Sequence, residues 1–303
     1  MKLFDLHCDT LSEIYCAGES LDDNSLHISK KKALGYEKYS QLFAIWSRHD
    51  LEPDENFAFF KQILKYSKKY LDATDSFIPY LAVEGGALLN GELSRLDYLY
   101  SVGVRFLTLV WGGSCCIGGA HDTDEGLSRF GRNVVERCLE IGIVPDLSHA
   151  SDKSFYDAYS IAAESKKAVI CTHSNSRSVC NHRRNLTDEM FGMIKDIGGI
   201  VGISLCRPHL CESGECGIDD VIRHIEKYLS IGGEKTVCLG CDLDGIGRLP
   251  DGMENVSDLH RIADALSARN YSDSLIEDIF YNNAERFIEK HGILPFDNKN
   301  INL

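Results

Sequence analysis

The side chains best suited to chemistry in this sequence stand at the ends of short apolar runs. The first run, LFDLHCD at residues 3–9, ends in His7 and Asp9. Alternate residues of a β-strand share a face, so His7 and Asp9 should project together while Cys8 projects the opposite way. An imidazole and a carboxylate placed in this way can bind one divalent ion. The pair alone is a weak signal, because H-x-D arises often by chance.

Later apolar runs end in side chains of the same kind. Glu84 ends FIPYLAVE, His149 ends IVPDLSH, His173 ends AVICTH, and Asp242 lies near the end of TVCLGCDLD. A single histidine at a strand end is more often a hydrogen-bonded rim residue than a metal ligand. Six ionisable groups in equivalent places are better explained by a metal centre.

The number of candidate ligands favours two ions. One zinc ion with an open position needs about three protein ligands, whereas the strand ends supply three imidazoles and two or three carboxylates. Glu84 is the natural bridging ligand, because its strand lies between the first strand and those carrying the later histidines. Two ions can hold a bridging water, lower its pKa and polarise a carbonyl, which predicts amide hydrolysis. Asp242 could then pass a proton from the attacking water to the leaving amine.

Eight apolar runs, most of them followed by a helix, must position these groups. The predicted strands cover residues 3–9, 39–46, 77–84, 104–111, 143–149, 168–173, 199–204 and 236–244. The predicted helices cover residues 53–73, 87–101, 128–141, 151–164, 218–231, 257–269 and 272–290, and one more begins at 187. Several strands are apolar throughout, as expected when both faces are covered.

This arrangement predicts an α/β fold, a TIM (β/α)8 barrel forming a single domain over residues 1–303. Eight β/α units in about 250–300 residues describe such a barrel. A doubly wound sheet would place a glycine-rich phosphate loop after its first strand, and none follows Asp9. In a TIM barrel the carboxyl ends of the strands meet at one mouth, so the six groups are expected to converge there.

Composition limits the class of protein. Of 303 residues, 44% are hydrophobic and only 6 are proline, which is typical of a globular chain with a large core. The net charge of −14 argues against nucleic acid or an anionic membrane as partner. Met1 and Lys2 lead directly into the first strand, and no apolar run approaches the roughly 18 residues of a membrane-spanning helix. We therefore expect a cytoplasmic protein.

The twelve cysteines do not read as a disulfide framework, because such frameworks belong to small secreted domains. Cys171 and Cys238 lie within apolar runs, where a free thiol behaves as a small hydrophobic group. Cys206, Cys211 and Cys216 are evenly spaced on a loop and form a candidate structural-ion site. That signal is weaker than a C-x₂-C pair.

Several motifs together resemble one known family. The runs LHCD, VEGG, DLSH followed by AS, THSNS, HRRN and GCDLDG occur in this order over nearly the whole chain. They are similar to the membrane (renal-type) dipeptidase family, the M19 metallopeptidases. The resemblance implies a TIM barrel with two zinc ions at its mouth. It places one ion on His7 and Asp9, a bridge at Glu84, and the other ion on His149 and His173.

The resemblance also implies two roles in handling the substrate. Asp242 would be the catalytic acid/base, and Arg184, the second arginine of HRRN, would clamp the C-terminal carboxylate of the substrate. A planar guanidinium suits a carboxylate bidentately. Animal members carry a histidine after the fourth strand, in the context TLTH, where this chain has TLVW. Trp111 therefore becomes a candidate substrate-binding residue, and His121 in the following glycine-rich loop a candidate substitute for the missing imidazole.

The predicted function is that of a dinuclear zinc dipeptidase acting on small dipeptides, including those with a D-configured C-terminal residue. One alternative is another barrel metallohydrolase acting on a cyclic amide or lactone, although such enzymes typically open with H-x-H. A second is a non-catalytic binding protein of the same fold, although such proteins commonly lose a ligand or the proton shuttle. The expected partner is a small dipeptide, and the family resemblance adds a homodimer as a further expectation.

Overall fold

Parallel β-strands form one curled sheet in the computed structural model, which describes residues 1–298. The strands are β1 Lys2–Cys8, β2 Lys38–Trp46, β3 Phe77–Glu84, β4 Val104–Thr108, β5 Val144–Asp146, β6 Val201–Ile203 and β7 Val237–Leu239. Their order in the sheet is β5-β4-β3-β2-β1-β7-β6. Because β1 pairs with both β2 and β7, the chain's first and last strands are neighbours and the sheet curls back on itself.

The segment over residues 168–173, predicted as a full strand, closes this ring with isolated bridges instead. Ile170 bridges Asp146 at the end of β5, and Cys171 bridges Val201 at the start of β6, both in parallel orientation. The segment therefore occupies the eighth position between β5 and β6. The predicted TIM barrel is confirmed. Seven of its positions hold continuous strands, and the eighth holds a segment that pairs with its neighbours only through isolated β-bridges.

Close backbone packing explains why that segment is irregular. A Cβ atom at either Gly202 or Gly240 would overlap the carbonyl oxygen of Thr172, so β6 and the residue that follows β7 both approach this segment at a glycine. The amide nitrogen of Thr172 donates to the carboxylate of Asp146 at 2.9 Å. A side chain thus accepts a hydrogen bond that a ladder partner would normally accept, and the regular pairing stops.

Helices cover the outside of the barrel. They are α1 Thr10–Ala17, α2 Pro53–Ser67, α3 Leu93–Ser101, α4 Arg129–Ile141, α5 Asp152–Glu164, α6 Asp188–Asp196, α7 Arg207–Leu210, α8 Ile218–Ser230, α9 His260–Ala268, α10 Asp273–Glu277 and α11 Asn283–Lys290. The single helix predicted over 87–101 is wrong in its first part, because Asn90 and Gly91 have φ of 47° and 77° and interrupt it. No helix within residues 1–298 is long and apolar enough to cross a membrane.

The core has two layers. An outer layer lies between the strands and the helices. An inner layer fills the barrel, and its residues include Phe4, Leu6, Leu42, Ala44, Tyr80, Phe106, Ile170 and Cys238. Tyr281, Phe287 and Ile288 from the C-terminal helical segment pack against this inner layer. The inner layer does not fill the end of the barrel at which the strands terminate, and polar side chains occupy that end.

A β-bulge in β1 turns its last residues toward that end. Asp5 pairs with Gln41 and Cys8 with Phe43, so three steps along β1 match two along β2. Phe4 and Leu6 face the barrel interior, whereas Cys8 packs in the outer layer. The extra residue in β1 shifts the alternation of its side chains between the inside and the outside of the barrel by one position. Strict alternation would place the two residues flanking Cys8 on the face opposite Phe4, and the bulge brings them inward.

Candidate metal centre and active site

The six candidate residues meet at the carboxyl ends of the strands. His7 is in β1 and Asp9 directly follows it, and Glu84 ends β3. His149 follows β5, His173 ends the bridged segment over residues 168–173, and Asp242 follows β7. A cavity of about 250 Å³ opens above them. Its lining includes Asp9, Glu84, Trp111, His149, His209 and Asp242. His7 and His173 lie beneath it, 0% and 2% exposed.

Three imidazoles converge on one carboxylate oxygen. Oε1 of Glu84 lies 3.0 Å from Nε2 of His149, 3.3 Å from Nε2 of His173 and 3.5 Å from Nε2 of His7. The Nε2 atoms of His149 and His173 are 2.9 Å apart. Asp9 approaches from the side, with Oδ2 at 3.7 Å from Nε2 of His7. The predicted convergence at the mouth is therefore present, with Glu84 at its centre.

The other ring nitrogens are held from behind. The Thr172 hydroxyl donates to Oδ2 of Asp146 at 2.6 Å, so it accepts from Nδ1–H of His173 at 2.7 Å. Nδ1 of His149 lies 3.0 Å from the carbonyl oxygen of Trp111, which can only accept. In the neutral rings this leaves both Nε2 lone pairs directed at Glu84. Such outer partners are how proteins orient metal-binding histidines.

The charges and the unpaired donor atoms of the cluster favour a bound cation. Burial alone would raise the pKa of Glu84, but the surrounding histidines, His7 above all, hold it well below its ordinary value. Burial and the charge of Glu84 raise the pKa of Asp9 to about 6. Nε2 of His7 and Oδ1 of Asp9 are buried without a hydrogen-bond partner. Nitrogen and carboxylate donors with unused lone pairs fit a divalent ion of the zinc type.

Two overlapping donor groups divide the cluster. One contains His7, Asp9 and Glu84, and the other Glu84, His149 and His173, each with its ligand atoms within 4.8 Å of one another. Glu84 is common to both groups. A third group joins His7 and His173 with Asp242, so the donors form one continuous set.

Two of the six candidate residues have a left-handed backbone, as does Asp244 in the cavity lining with a φ of 67°. His149 has a φ of 68° and Asp242 a φ of 62°, values that cost a non-glycine residue of order 1–3 kcal/mol. Backbone bonds hold both in place: His149 accepts from the amide of His121 at 2.7 Å, and Asp242 donates to the carbonyl of His7 at 3.1 Å. The fold therefore imposes the direction of these two side chains.

Asp242 and Asp244 have different surroundings although both line the cavity. Burial raises the pKa of Asp242 well above its usual range, and the charges of Asp9 and Glu84 add to this. Asp244 accepts from the Thr10 hydroxyl at 2.6 Å and from the amide of His27 at 2.6 Å. Asp244 thus holds α1 and the segment between α1 and β2 to the barrel through Thr10 and His27, whereas Asp242 faces the ligand cluster.

Arg184 lies behind the cluster. It is 3% exposed, and its terminal nitrogens donate to Oγ of Ser174 and to the carbonyl of His173, both at 2.9 Å. Its Nε has no partner. Burial lowers its pKa, while the charge of Asp242 acts to raise it. Its predicted role as a carboxylate clamp stays a prediction, since two of its five N–H groups already donate to Ser174 and His173.

Trp111 belongs to an aromatic wall of the cavity. Its ring lies 4.9 Å from that of Trp46 and stacks on His49 at 5.1 Å with an interplanar angle of 8°. Its indole also lies 6.0 Å from the ring of His149. His121 lies on the other side of His149, with ring centroids 5.7 Å apart. The structure thus brings both candidates beside His149, and their predicted roles toward the substrate stay predictions.

Comparison with known proteins places the chain in a family. The sequence profile of the membrane dipeptidase family (peptidase family M19) matches residues 1–293. The chain belongs to peptidase family M19. An uncharacterized protein in the pqqA 5′ region of Klebsiella pneumoniae is 32% identical over 219 residues, which are 68% of this chain and 79% of that protein.

Further relatives of this M19 chain carry a functional name. Dipeptidase 3 of Mus musculus is 31% identical over 226 residues, 71% of this chain but only 45% of that protein. The chain thus spans less than half the length of this relative. A crystal structure of a metallo peptidase from Rhodobacter sphaeroides, liganded with a phosphinate mimic of the dipeptide L-Ala-D-Ala, shares the fold with a TM-score of 0.85. It is 24% identical, over 96% of this chain and 99% of that one.

The cysteine loop of this M19 chain does not form the three-cysteine ion site for which its spacing made it a weak candidate. Cys211 and Cys216 are joined by a disulfide with 6.2 Å between their Cα atoms. Cys206 lies apart from them, in the lining of the cavity. Even spacing along the chain does not bring three thiols together here, because α7 lies between Cys206 and Cys211.

Sequence reasoning missed the residues that support the M19 ligands. Asp146 is fully buried and accepts from the hydroxyls of Thr108 and Thr172, both at 2.6 Å. It also accepts from the amide of Ser148 at 3.0 Å. The sequence signal that could have identified Asp146 and Thr172 is their position in the strand ends VPDLSH and AVICTH. His209, whose carbonyl accepts from the amide group of Asn185 at 2.9 Å, gave no comparable signal.

Proposed function

We propose that this chain is a metal-dependent dipeptidase that holds two zinc ions and hydrolyses the amide bond of small dipeptides, including those with a D-configured C-terminal residue. The observation that carries the proposal is the convergence of three imidazoles and three carboxylates beneath one small cavity. This set exceeds the roughly three ligands of a single catalytic zinc. In the proposed assignment His7 and Asp9 would hold one ion, His149 and His173 would hold the other, and Glu84 would be a ligand common to both.

Bound zinc ions would supply Lewis acidity, which lowers the pKa of water and polarises an amide carbonyl. Asp242 supplies the proton transfer. Burial and the charges of Asp9 and Glu84 raise the pKa of Asp242, which favours its protonated form, and its carboxyl group faces both the cluster and the cavity. In the proposal Asp242 accepts the proton of the attacking water and returns it to the leaving amine nitrogen.

The buried guanidinium of Arg184 is proposed to fix the C-terminal carboxylate of the substrate. Each terminal nitrogen retains a second N–H beyond its bond to Ser174 or His173. The Arg184 guanidinium is buried, and a substrate carboxylate would form a charge-assisted pair with it. A carboxylate held one residue from the reacting amide would restrict the site to dipeptides, because a tripeptide would place a different amide over the cluster.

The aromatic wall is proposed to receive a substrate side chain. Trp46 and Trp111 line the cavity together with Ile246, which favours apolar side chains there. The dipeptide mimic bound by the Rhodobacter sphaeroides relative supports a dipeptide with a D-residue as substrate.

A cytoplasmic location is part of the proposal, since ten cysteines of the described residues are free, and cell fractionation tests it.

A dipeptide panel tests the proposed function most directly. Metal-loaded protein should hydrolyse L,L and L,D dipeptides and leave their tripeptide extensions and C-terminal amides nearly untouched. Hydrolysis of a cyclic amide or lactone without hydrolysis of any dipeptide would assign the chain to the other class of barrel metallohydrolase. Binding of dipeptides without turnover of any of these substrates would make it a binding protein.

A further inference from the structure

A carboxylate without a partner lies at the mouth of the cavity. Glu13 is exposed, one turn after Asp9 in α1, and lines the cavity. Its side chain makes no hydrogen bond or ion pair within residues 1–298. Arg48, whose charge acts on Glu13, is held elsewhere, because two of its nitrogens donate to Asp50 at 2.9 and 2.7 Å. An exposed carboxylate needs no partner, so the meaning of Glu13 depends on what lies beside it.

The aromatic wall of the cavity lies beside Glu13. The amide of Trp46 donates to Oγ of Ser12 at 3.4 Å, which joins the wall to the residue that precedes Glu13. Trp46 and Trp111 both line the cavity, with 4.9 Å between their ring centroids. This corner of the cavity therefore combines two indole rings with an unpaired carboxylate.

The charge of the cavity lining favours a cation in this corner. The lining contains no lysine or arginine but five carboxylates, those of Asp9, Glu13, Glu84, Asp242 and Asp244. Asp9 and Glu84 are proposed metal ligands, and Asp242 is the proposed proton shuttle. Burial raises the pKa of Glu13 and the charge of Asp244 adds to this, so these two remaining carboxylates act on one another. A positive group between the wall and Glu13 would reduce their repulsion.

The corner lies across the barrel from Arg184. Around the barrel β1 to β5 take the first five positions, the bridged segment over residues 168–173 the sixth, β6 the seventh and β7 the eighth. Trp46 ends β2, whereas Arg184 is in the loop after the sixth position. The second and sixth positions of an eight-membered ring are opposite. A dipeptide held at Arg184 by its C-terminal carboxylate would therefore extend across the cluster and bring its N-terminal side chain to the wall.

We propose that Glu13, Trp46 and Trp111 form a subsite for a cationic side chain, so that the preferred dipeptides begin with lysine or arginine. The inference rests on the proposed function and deepens it by naming the substrate class. The methylene stem of such a side chain packs on the wall and on Ile246, and its charged head reaches Glu13. An indole face also attracts a cation. The apolar wall thus receives the stem, and Glu13 adds selection for a charge at its end.

The test compares two dipeptides on metal-loaded protein, one beginning with lysine and one with norleucine, which has the same stem without the ammonium group. The kcat/KM of the lysine dipeptide should be higher by about 3- to 30-fold, the combined scale of one exposed ion pair and one cation–π contact. The gain should appear in KM, because the contact is remote from the reacting amide.

Glu13→Gln keeps the shape of the side chain and removes its charge. It should lower the ratio of the two kcat/KM values by about 2- to 5-fold, the share of the ion pair. Glu37→Gln is the matched control, because Glu37 is an exposed carboxylate at the start of β2, outside the cavity lining. This control should retain the ratio of the wild type.

A second readout does not depend on turnover. The chain has 2 tryptophans, and both belong to this corner, so intrinsic fluorescence reports on it directly. Free L-lysine, the N-terminal product, should change the emission of metal-loaded protein at a lower concentration than L-norleucine does. In Glu13→Gln the two concentrations should approach each other.

Equal kcat/KM for the lysine and norleucine dipeptides, or a ratio that is unchanged in Glu13→Gln, would overturn the cation subsite while leaving the dipeptidase assignment in place. If the protein hydrolyses no dipeptide but binds lysine ahead of norleucine through Glu13, the proposed function fails and the cation site stands. Equal binding of the two amino acids in the absence of turnover would refute both.

Discussion

Replacing Thr172 by valine should weaken metal binding without touching a proposed ligand. The hydroxyl of Thr172 connects Oδ2 of Asp146 to Nδ1 of His173. Valine has nearly the same shape but leaves Nδ1–H of His173 without an acceptor in a buried site. An unpaired buried donor costs about 1–3 kcal/mol, which is about 5- to 150-fold in a binding constant. The metal-free ring can reorient, so this penalty falls on the metal-bound form.

We therefore expect Thr172→Val to lower zinc affinity by about 10- to 100-fold, as losses of such outer partners do. Competition with a chromogenic chelator measures the affinity. Thr108→Val is the matched control, because Thr108 donates to the same oxygen of Asp146 at 2.6 Å and has no bond to a histidine within residues 1–298. Both variants should lower the thermal midpoint. Equal loss of zinc affinity in the two variants would refute the proposed role of the Thr172 bond.

Other predictions concern the proton shuttle and the carboxylate clamp. Asp242→Asn should retain its metal and lose about 10²–10⁴ in kcat, the usual scale for general acid/base catalysis, whereas loss of metal together with activity would make Asp242 a ligand. Asp244→Ala, its control, should lower the thermal midpoint far more than kcat, since Asp244 holds Thr10 and His27. Arg184→Lys should lose dipeptide kcat/KM, because an ammonium cannot reproduce the planar fork. If wild type cleaves a dipeptide and its C-terminal amide equally well, the clamp is wrong.

The positions of the six candidate residues could be predicted because they depend on chain direction alone. All strands of a TIM barrel end at the same mouth, so a ligand-type residue at the end of an apolar run must lie there. His7 and Asp9 do share a side of the chain, with 3.7 Å between Nε2 and Oδ2. The reason that they face inward, the bulge between Asp5 and Cys8, leaves no mark in the apolar pattern.

The features of the fold and of the site that the sequence did not predict depend on contacts between segments that are far apart along the chain. The segment over residues 168–173 is as apolar as the other strands, but its pairing is limited by backbone approach at Gly202 and Gly240. Asp146 accepts hydrogen bonds from the hydroxyls of Thr108 and Thr172, which lie on the two barrel segments beside its own strand. The spacing of residues along the chain does not reveal these contacts. Cys211 and Cys216 are close only because of the turn that follows α7.

The measurement that tests the central claim most directly is the metal content of wild type and Glu84→Ala after equilibration with zinc. Oε1 of Glu84 lies within 3.5 Å of Nε2 of all three histidines, and the two donor groups proposed to hold the two ions share this residue. Elemental analysis should find two ions per wild-type chain, and both should be weakened in Glu84→Ala. The matched variant His149→Ala should weaken mainly one. A single ion per wild-type chain that survives Glu84→Ala would contradict a bridged centre.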